Sequence, residues 1–192
     1  MNVAVIGLLM AFLVAVIPFF NSSKELSKDV MRVHILANSD SAADQSLKLA
    51  VRDRVLRQCS DYFADCEDKE EALRITREHL REIETIAASE IRRRGFDYSV
   101  RAEVGQGYFN TRYYEEFTMP AGVYDSLRLT IGDGSGQNWW CVMYPSLCVG
   151  AATEDTMRQE LSDGEYRVVT SDKLDFRFKL VEYWENFLNL FR

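Results

Sequence analysis

Side chains able to do chemistry are sparse in this chain. Its two histidines are His34 and His79. His34, Ser39 and Asp40 stand close together and supply the residue types of a base, a nucleophile and an orienting acid. Only a strand end and a turn separate them, however, and that spacing gives the three side chains no reason to converge. His34 therefore reads as a strand histidine with satisfied ring nitrogens, and His79 falls among the charged residues of a helix. The loop Gly132-Asp133-Gly134-Ser135-Gly136 has the glycine content of a phosphate cradle. Phosphate cradles run from a strand into a helix and usually carry a lysine, whereas this loop joins two strand-like segments and has none. It reads as a flexible hairpin connection. With no metal-ligand spacing, nucleophile elbow or nucleotide fingerprint, the sequence predicts no catalytic set, no cofactor and no metal.

The elements that position these residues begin with a strand. Val33 and Ile35 alternate with Arg32 and His34, the period-two pattern of a half-buried strand. Asn38-Ser39-Asp40-Ser41 then supplies turn and cap residues, and Ser41 with Asp44 predicts a capped helix from Ala42. Its apolar stripe is Leu47, Val51, Val55 and Cys59, with Asp44, Lys48 and Arg52 on the opposite side. A polar turn between a strand's carboxyl end and a helix's amino end is where free backbone N–H groups gather, and this stretch is the centre of the functional reading. A second long helix is predicted over Lys69–Arg94 on the stripe Leu73, Leu80, Ile83, Ala87 and Ile91. Arg92-Arg93-Arg94 stands at the negative end of its dipole, before Gly95 as the terminating glycine.

From Tyr98 the period becomes two. Gly105-Gln106-Gly107 is predicted to turn the chain into the aromatic segment 108–117, Pro120-Ala121-Gly122 to turn it again, and Leu127, Leu129 and Ile131 to mark the next strand. Asn138 to Tyr144 forms another, in which Trp139 and Trp140 must face opposite ways. A short helix is predicted from Thr153 to Leu161, ended by Ser162-Asp163-Gly164. The last helix spans Leu174 to Phe191, and its broad apolar surface reads as core. One strand, two helices, a run of strands and a terminal helix predict an α+β fold. It is a single domain over 30–192, a mostly antiparallel mixed sheet packed against the two long helices.

With 47% hydrophobic and 28% charged residues in 192, the composition is that of a globular chain. A net charge of −7 argues against a nucleic-acid partner. Val3 to Phe20 is uncharged and almost wholly apolar, long enough at the lower limit to span a bilayer and placed where an export signal stands. No clear cleavage site follows, so residues 1–20 read as an uncleaved anchor in preference to a cleaved signal, and 21–29 as a polar linker. The four cysteines are Cys59, Cys66, Cys141 and Cys148. Pro145 can turn the chain so that Cys141 and Cys148 meet, a natural pairing in an exported protein. Cys59 and Cys66 can pair or remain core residues.

The stretch Val33-His34-Ile35-Leu36-Ala37-Asn38-Ser39-Asp40, with Asp44-Gln45 and Leu47-Lys48-Leu49-Ala50-Val51-Arg52-Asp53, resembles the stage II sporulation protein R family of endospore-forming bacteria. So do Pro120-Ala121-Gly122, Tyr124-Asp125-Ser126-Leu127-Arg128 and Asn138-Trp139-Trp140-Cys141-Val142 with Pro145 and Cys148. The resemblance covers roughly residues 30–150 and extends to Phe176-Arg177-Phe178-Lys179 at the start of the last helix. It implies a signalling protein rather than an enzyme, exported from the forespore into the space between the two sporulation membranes. There it would activate a membrane-embedded mother-cell protease that matures the precursor of sigma-E. Candidate partner contacts are His34, Asn38, Ser39, Asp40, Lys48, Arg52, Asn138, Trp139 and Trp140. The rival readings are an envelope hydrolase using His34 and Asp40, and a cell-wall-binding module.

Overall fold

The computed structural model describes residues 3–63, 66–145, 153–172 and 175–190. In chain order the elements are α1 (Val3–Asp29), β1 (Met31–Leu36), α2 (Ala42–Cys59), α3 (Lys69–Glu78), α4 (Leu80–Arg93), β2 (Val100–Phe109), β3 (Arg112–Tyr113), β4 (Thr118–Met119), β5 (Gly122–Ile131), β6 (Asn138–Tyr144), α5 (Glu154–Glu160), α6 (Asp163–Val169) and α7 (Phe176–Asn189). A mixed sheet, helices, an N-terminal apolar helix and a C-terminal helix make up the expected α+β fold. The chain divides into two compact units. One is Val30–Gly107 with Asp125–Val149; the other is Met1–Asp29, Tyr108–Tyr124 and Gly150–Arg192.

In the first unit, β1 is an inner strand of a sheet ordered β2-β5-β1-β6. It runs parallel to β5 and antiparallel to β6. Arg32 and His34 are buried along with Val33 and Ile35, His34 beneath the stacked ring of Trp140, so the expected half-buried strand is in fact buried on both faces. Leu47, Val51, Val55 and Cys59 form the buried stripe of α2 as their spacing demands. The predicted single helix Lys69–Arg94 is two. His79 leaves helical geometry at φ −98°, ψ 7°, and its ring stacks on Tyr62 with centroids 4.2 Å apart. Neither Gly nor Pro marks that break, which is why the apolar period runs straight through it. The helix end does follow the sequence: Gly95 takes φ 82°, Gly95 N donates to Arg92 O, and Phe96 N donates to Ile91 O at 3.1 Å.

The second unit is mostly helical. Val16, Phe19, Ser23 and Leu26 line the buried side of α1, where Phe19 meets Phe178 edge to face at 5.1 Å. Residues 21–29, expected as a linker, continue α1 because this side has core to bury. The turn predicted at Gly105-Gln106-Gly107 is also absent, since β2 runs through it as one strand. Ser162-Asp163-Gly164 starts a helix rather than only ending one: Ser162 and Glu165 form a complete capping box at the head of α6. In α7 only Phe178 and Val181 are buried among the described residues, so its broad apolar face is not core. Leu174 and Phe191 lie outside the described residues.

Candidate functional site

The connection from β5 to β6 cannot be a simple hairpin, because β1 lies between those two strands. It must pass over the carboxyl end of β1, where the polar turn begins. Residues 132–137 cross Asn38-Ser39-Asp40 and close on them as a clasp. Ser135 N and Oγ both donate to Asn38 O, at 3.2 and 2.6 Å, and Gly136 N donates to Ala37 O at 3.0 Å. The Asn38 side chain accepts from Asp133 N at 3.0 Å, and Asp40 Oδ1 accepts from Gln137 N at 2.6 Å. Glycine is required here by proximity. A Cβ on Gly136 would overlap the Ser39 carbonyl, and one on Gly132, at φ 56°, would overlap Asn38 Oδ1. The loop expected to be flexible is therefore tied down along most of its length.

Beneath the clasp lies a residue that its place on α2 predicts to be solvated. Asp44 is buried, and its Oδ2 accepts from Ser39 Oγ at 2.6 Å and Asn38 Nδ2 at 2.9 Å. Those bonds, led by Ser39, hold its carboxyl below the usual carboxylate range despite burial. Ser41 Oγ caps α2 by accepting from Asp44 N at 3.1 Å. The reciprocal arm of a capping box is missing because the Asp44 carboxylate turns to the preceding turn; Ser41 N donates to Ser39 Oγ instead. Tyr98 faces the same carboxylate, and burial, followed by that negative charge, pushes its phenol up.

Lys48 is buried as well, a second departure from the expected solvated face. Its Nζ donates to Gln45 Oε1 at 2.6 Å and to Gln137 O at 2.8 Å, and Gln45 Nε2 donates to Ser39 O at 2.8 Å. Desolvation lowers its ammonium's pKa, opposed by the charge of Asp40. Lys48 thus fastens α2 to the start of β6. The signal that could have found Asp44 and Lys48 is their four-residue spacing with the amide-rich turn, since a buried charge needs several hydrogen-bond partners close by.

The remaining candidates divide between the two sheet faces. His34 sits opposite Trp140 in the β1–β6 register, and their rings stack at 3.5 Å with planes 12° apart. Trp139 turns the other way and carries the Arg52 guanidinium 5.0 Å from its ring centroid. Arg52 also pairs with Asp53 at 2.7 Å. Asp40 and Asn138 are exposed, Trp139 and Arg52 partly so. The site accordingly presents Asp40, Asn138 and the Arg52–Trp139 pair outward, while Asn38, Ser39 and Lys48 hold it together from within. Cys141, next along β6, is disulfide-bonded; Cys59 and Cys66 are not in a disulfide, and Cys148 lies outside the described residues.

The family model for stage II sporulation protein R matches residues 27–154. The chain belongs to that family. The stage II sporulation protein R of Bacillus subtilis strain 168 is 34% identical over 157 residues, covering 79% of this chain and 70% of that protein. No solved structure matches. The match to the stage II sporulation protein R model takes in the clasp, α2 to α4 and the whole sheet, so the site described above lies inside the region that defines the family. Most of α1 and all of α6 and α7 lie outside it. Among the described residues one helix, Val5–Asp29, is long and apolar enough to cross a membrane, which fits a signal or anchor segment.

Proposed function

We propose that this protein is the signal by which the forespore instructs the mother cell. Exported across the forespore membrane on α1, it engages a membrane-embedded mother-cell protease and switches on maturation of the sigma-E precursor. The observation that carries this reading is the family match over 27–154, which encloses the clasp. The chemistry of the clasp supports contact in preference to catalysis. Ser39 Oγ donates a hydrogen bond to the Asp44 carboxylate, and Asp40 accepts one from a backbone N–H, so both are engaged in holding the turn in shape. Such a site is a rigid epitope. Its outward groups are Asp40, Asn138, Trp139 and Arg52, of which Trp and Arg are residue types enriched among the hot spots of protein interfaces.

The test is reconstitution of protease and precursor in vesicles with and without the full chain. A shortened chain starting after the apolar segment is unsuitable, because it would remove Val16 and Phe19 from the second unit's core. Processing that depends on the added chain, and is lost in a folded Trp139→Ala variant, is the expected result. Cleavage of a peptide or glycan by the purified chain alone, abolished by His34→Ala, would sink the contact reading in favour of a hydrolase. We further propose that the partner of Cys141 is Cys148, as an exported domain allows. Peptide mapping without reductant should recover the 141–148 cross-link, and alkylation of Cys148 in the oxidised protein would refute it.

A further inference from the structure

The inward side of α7 is accounted for by packing in its own unit. Phe178 meets Phe19 at 5.1 Å and Tyr113 at 6.4 Å, and Val181 is buried with it. The outward side is apolar too. Tyr183 is 71% exposed, Trp184 51%, Phe187 52% and Leu190 81%. This face does not stop at the edge of the helix. Leu180, Tyr183, Trp184 and Phe187 line one groove with Phe12, Val16 and Phe20 of α1, and Phe12 stacks on Phe176 at 6.4 Å. Beyond the groove α1 exposes Met10, Leu13, Val14 and Ile17. The two helices thus share one continuous apolar surface.

What covers that surface follows from α1. Its span has a mean hydropathy of 2.3 and only 12% of it is buried within the protein, so its natural solvent is hydrocarbon. Arg177, Lys179 and Glu182, three of the four charged residues on α7, are in ion pairs: Arg177 binds Asp175 and lies 4.5 Å over the Phe19 ring, and Lys179 pairs with Glu182 at 3.0 Å. Tyr and Trp are the side chains whose apolar bodies and polar edges suit the boundary between headgroups and acyl chains. An exposed apolar face continuous with a membrane-entering helix is an interfacial element.

We propose that α7 lies in the headgroup–acyl boundary of the phospholipid bilayer that α1 enters, with Tyr183, Trp184, Phe187 and Leu190 facing lipid. The proposal rests on the membrane reading of α1 and adds a second membrane-contacting element to it. It is tested with the full chain in vesicles of equal parts phosphatidylcholine and phosphatidylglycerol. Flotation reports entry of α1. Acyl-chain-brominated phosphatidylcholine then reports the depth of Trp184, since interfacial helices bury their apolar face roughly 5–10 Å, within reach of the bromines. Floated protein should lose about half of its Trp184 emission, defined as the component missing in Trp184→Phe. Equal quenching of floated wild type and Trp184→Phe overturns the proposal and leaves the reading of α1 intact. Failure to float overturns both. Protection of Trp184 from aqueous iodide without bromolipid quenching, together with dimers in light scattering, assigns the face to a second copy of the chain and also overturns it. Tyr183→Ser/Phe187→Ser gives a further check, because these exposed positions should leave the melting curve unchanged while reducing bromolipid quenching.

Discussion

Around the end of β1, Asn38 engages both ends of its amide within the protein and Ser39 both accepts and donates, whereas along α7 Tyr183, Trp184, Phe187 and Leu190 each leave half or more of their area exposed. The first region is a polar network closed on itself; the second is an apolar face open to its surroundings. Closed networks fix a unique shape but make every member sensitive, because removing one partner strands another in a buried position. An open apolar face adds little to stability in water and acquires its energetic meaning from what it meets. Substitutions at the clasp should therefore change folding, and substitutions on the exposed face of α7 should change only association.

The largest effect is expected where the clasp admits no side chain at all. Gly136→Val must push the crossing loop off the Ser39 carbonyl, breaking several hydrogen bonds together, and should cost at least about 3 kcal/mol in urea unfolding. A midpoint close to wild type would show that the loop can lift away freely. Next comes Asn38→Ala, which takes one donor from the buried Asp44 carboxylate and an acceptor from Asp133 N. Roughly 2 kcal/mol is expected, and Asn38→Asp should be worse still at neutral pH because it sets a second carboxylate beside Asp44.

A third perturbation separates the network at the sheet from an ordinary helix-end cluster. Glu90 is buried between Arg93 and Arg94, with contacts of 2.6 and 3.0 Å, and its hydrogen bond with Arg93 is the main reason its carboxyl is pulled from 4.5 down to about 2. Because the folded value is depressed, this stabilisation is complete above pH 4.5 and drains away as pH falls from there toward 2. Both arginines are largely exposed, so screening leaves on the order of 1 kcal/mol. Glu90→Gln should be less stable than wild type by that amount at neutral pH, and the two unfolding free energies should converge near pH 2. A constant gap down to pH 2 would refute the assignment.

Much of this is legible in the sequence because it is local. The α2 stripe, the Ser41 cap, the glycine terminator at Gly95 and the opposite facing of Trp139 and Trp140 depend on residues a few positions apart. What escapes depends on strand order, which no local period encodes. Once β1 lies between β5 and β6, Trp140 comes to stack on His34, the glycine loop becomes a crossing, and Asp44 and Lys48 gain partners that make their burial tolerable. The departure at α7 has the opposite origin. Its period and apolarity are plain in the sequence, but apolarity does not say whether the covering phase is the protein's own core. The nine candidate contacts come from two separate stretches of chain, 34–52 and 138–140, and only the structure brings these together and separates those facing outward from those holding the turn.

The smallest stability effect, and the sharpest test of the division within the site, belongs to Arg52. Its guanidinium has two partners, Asp53 at 2.7 Å and the Trp139 ring at 5.0 Å, and neither is lost from a deeply buried position: Asp53 is half exposed and Trp139 retains solvent contact. Arg52→Ala should accordingly cost less than about 1 kcal/mol, the range of an exposed ion pair together with a partly solvated cation–π contact. If Arg52 is part of the epitope, the same substitution should remove most signalling in the reconstituted system while the melting midpoint moves by only a few degrees, as a loss of that size implies. Lys48→Met, by contrast, deletes donors to Gln45 and the Gln137 carbonyl inside the clasp and should lose signalling only in proportion to lost folding. Equal behaviour of the two variants would erase the distinction between an outward contact residue and an inward fastening one; loss of signalling in stable Arg52→Ala alone would establish it.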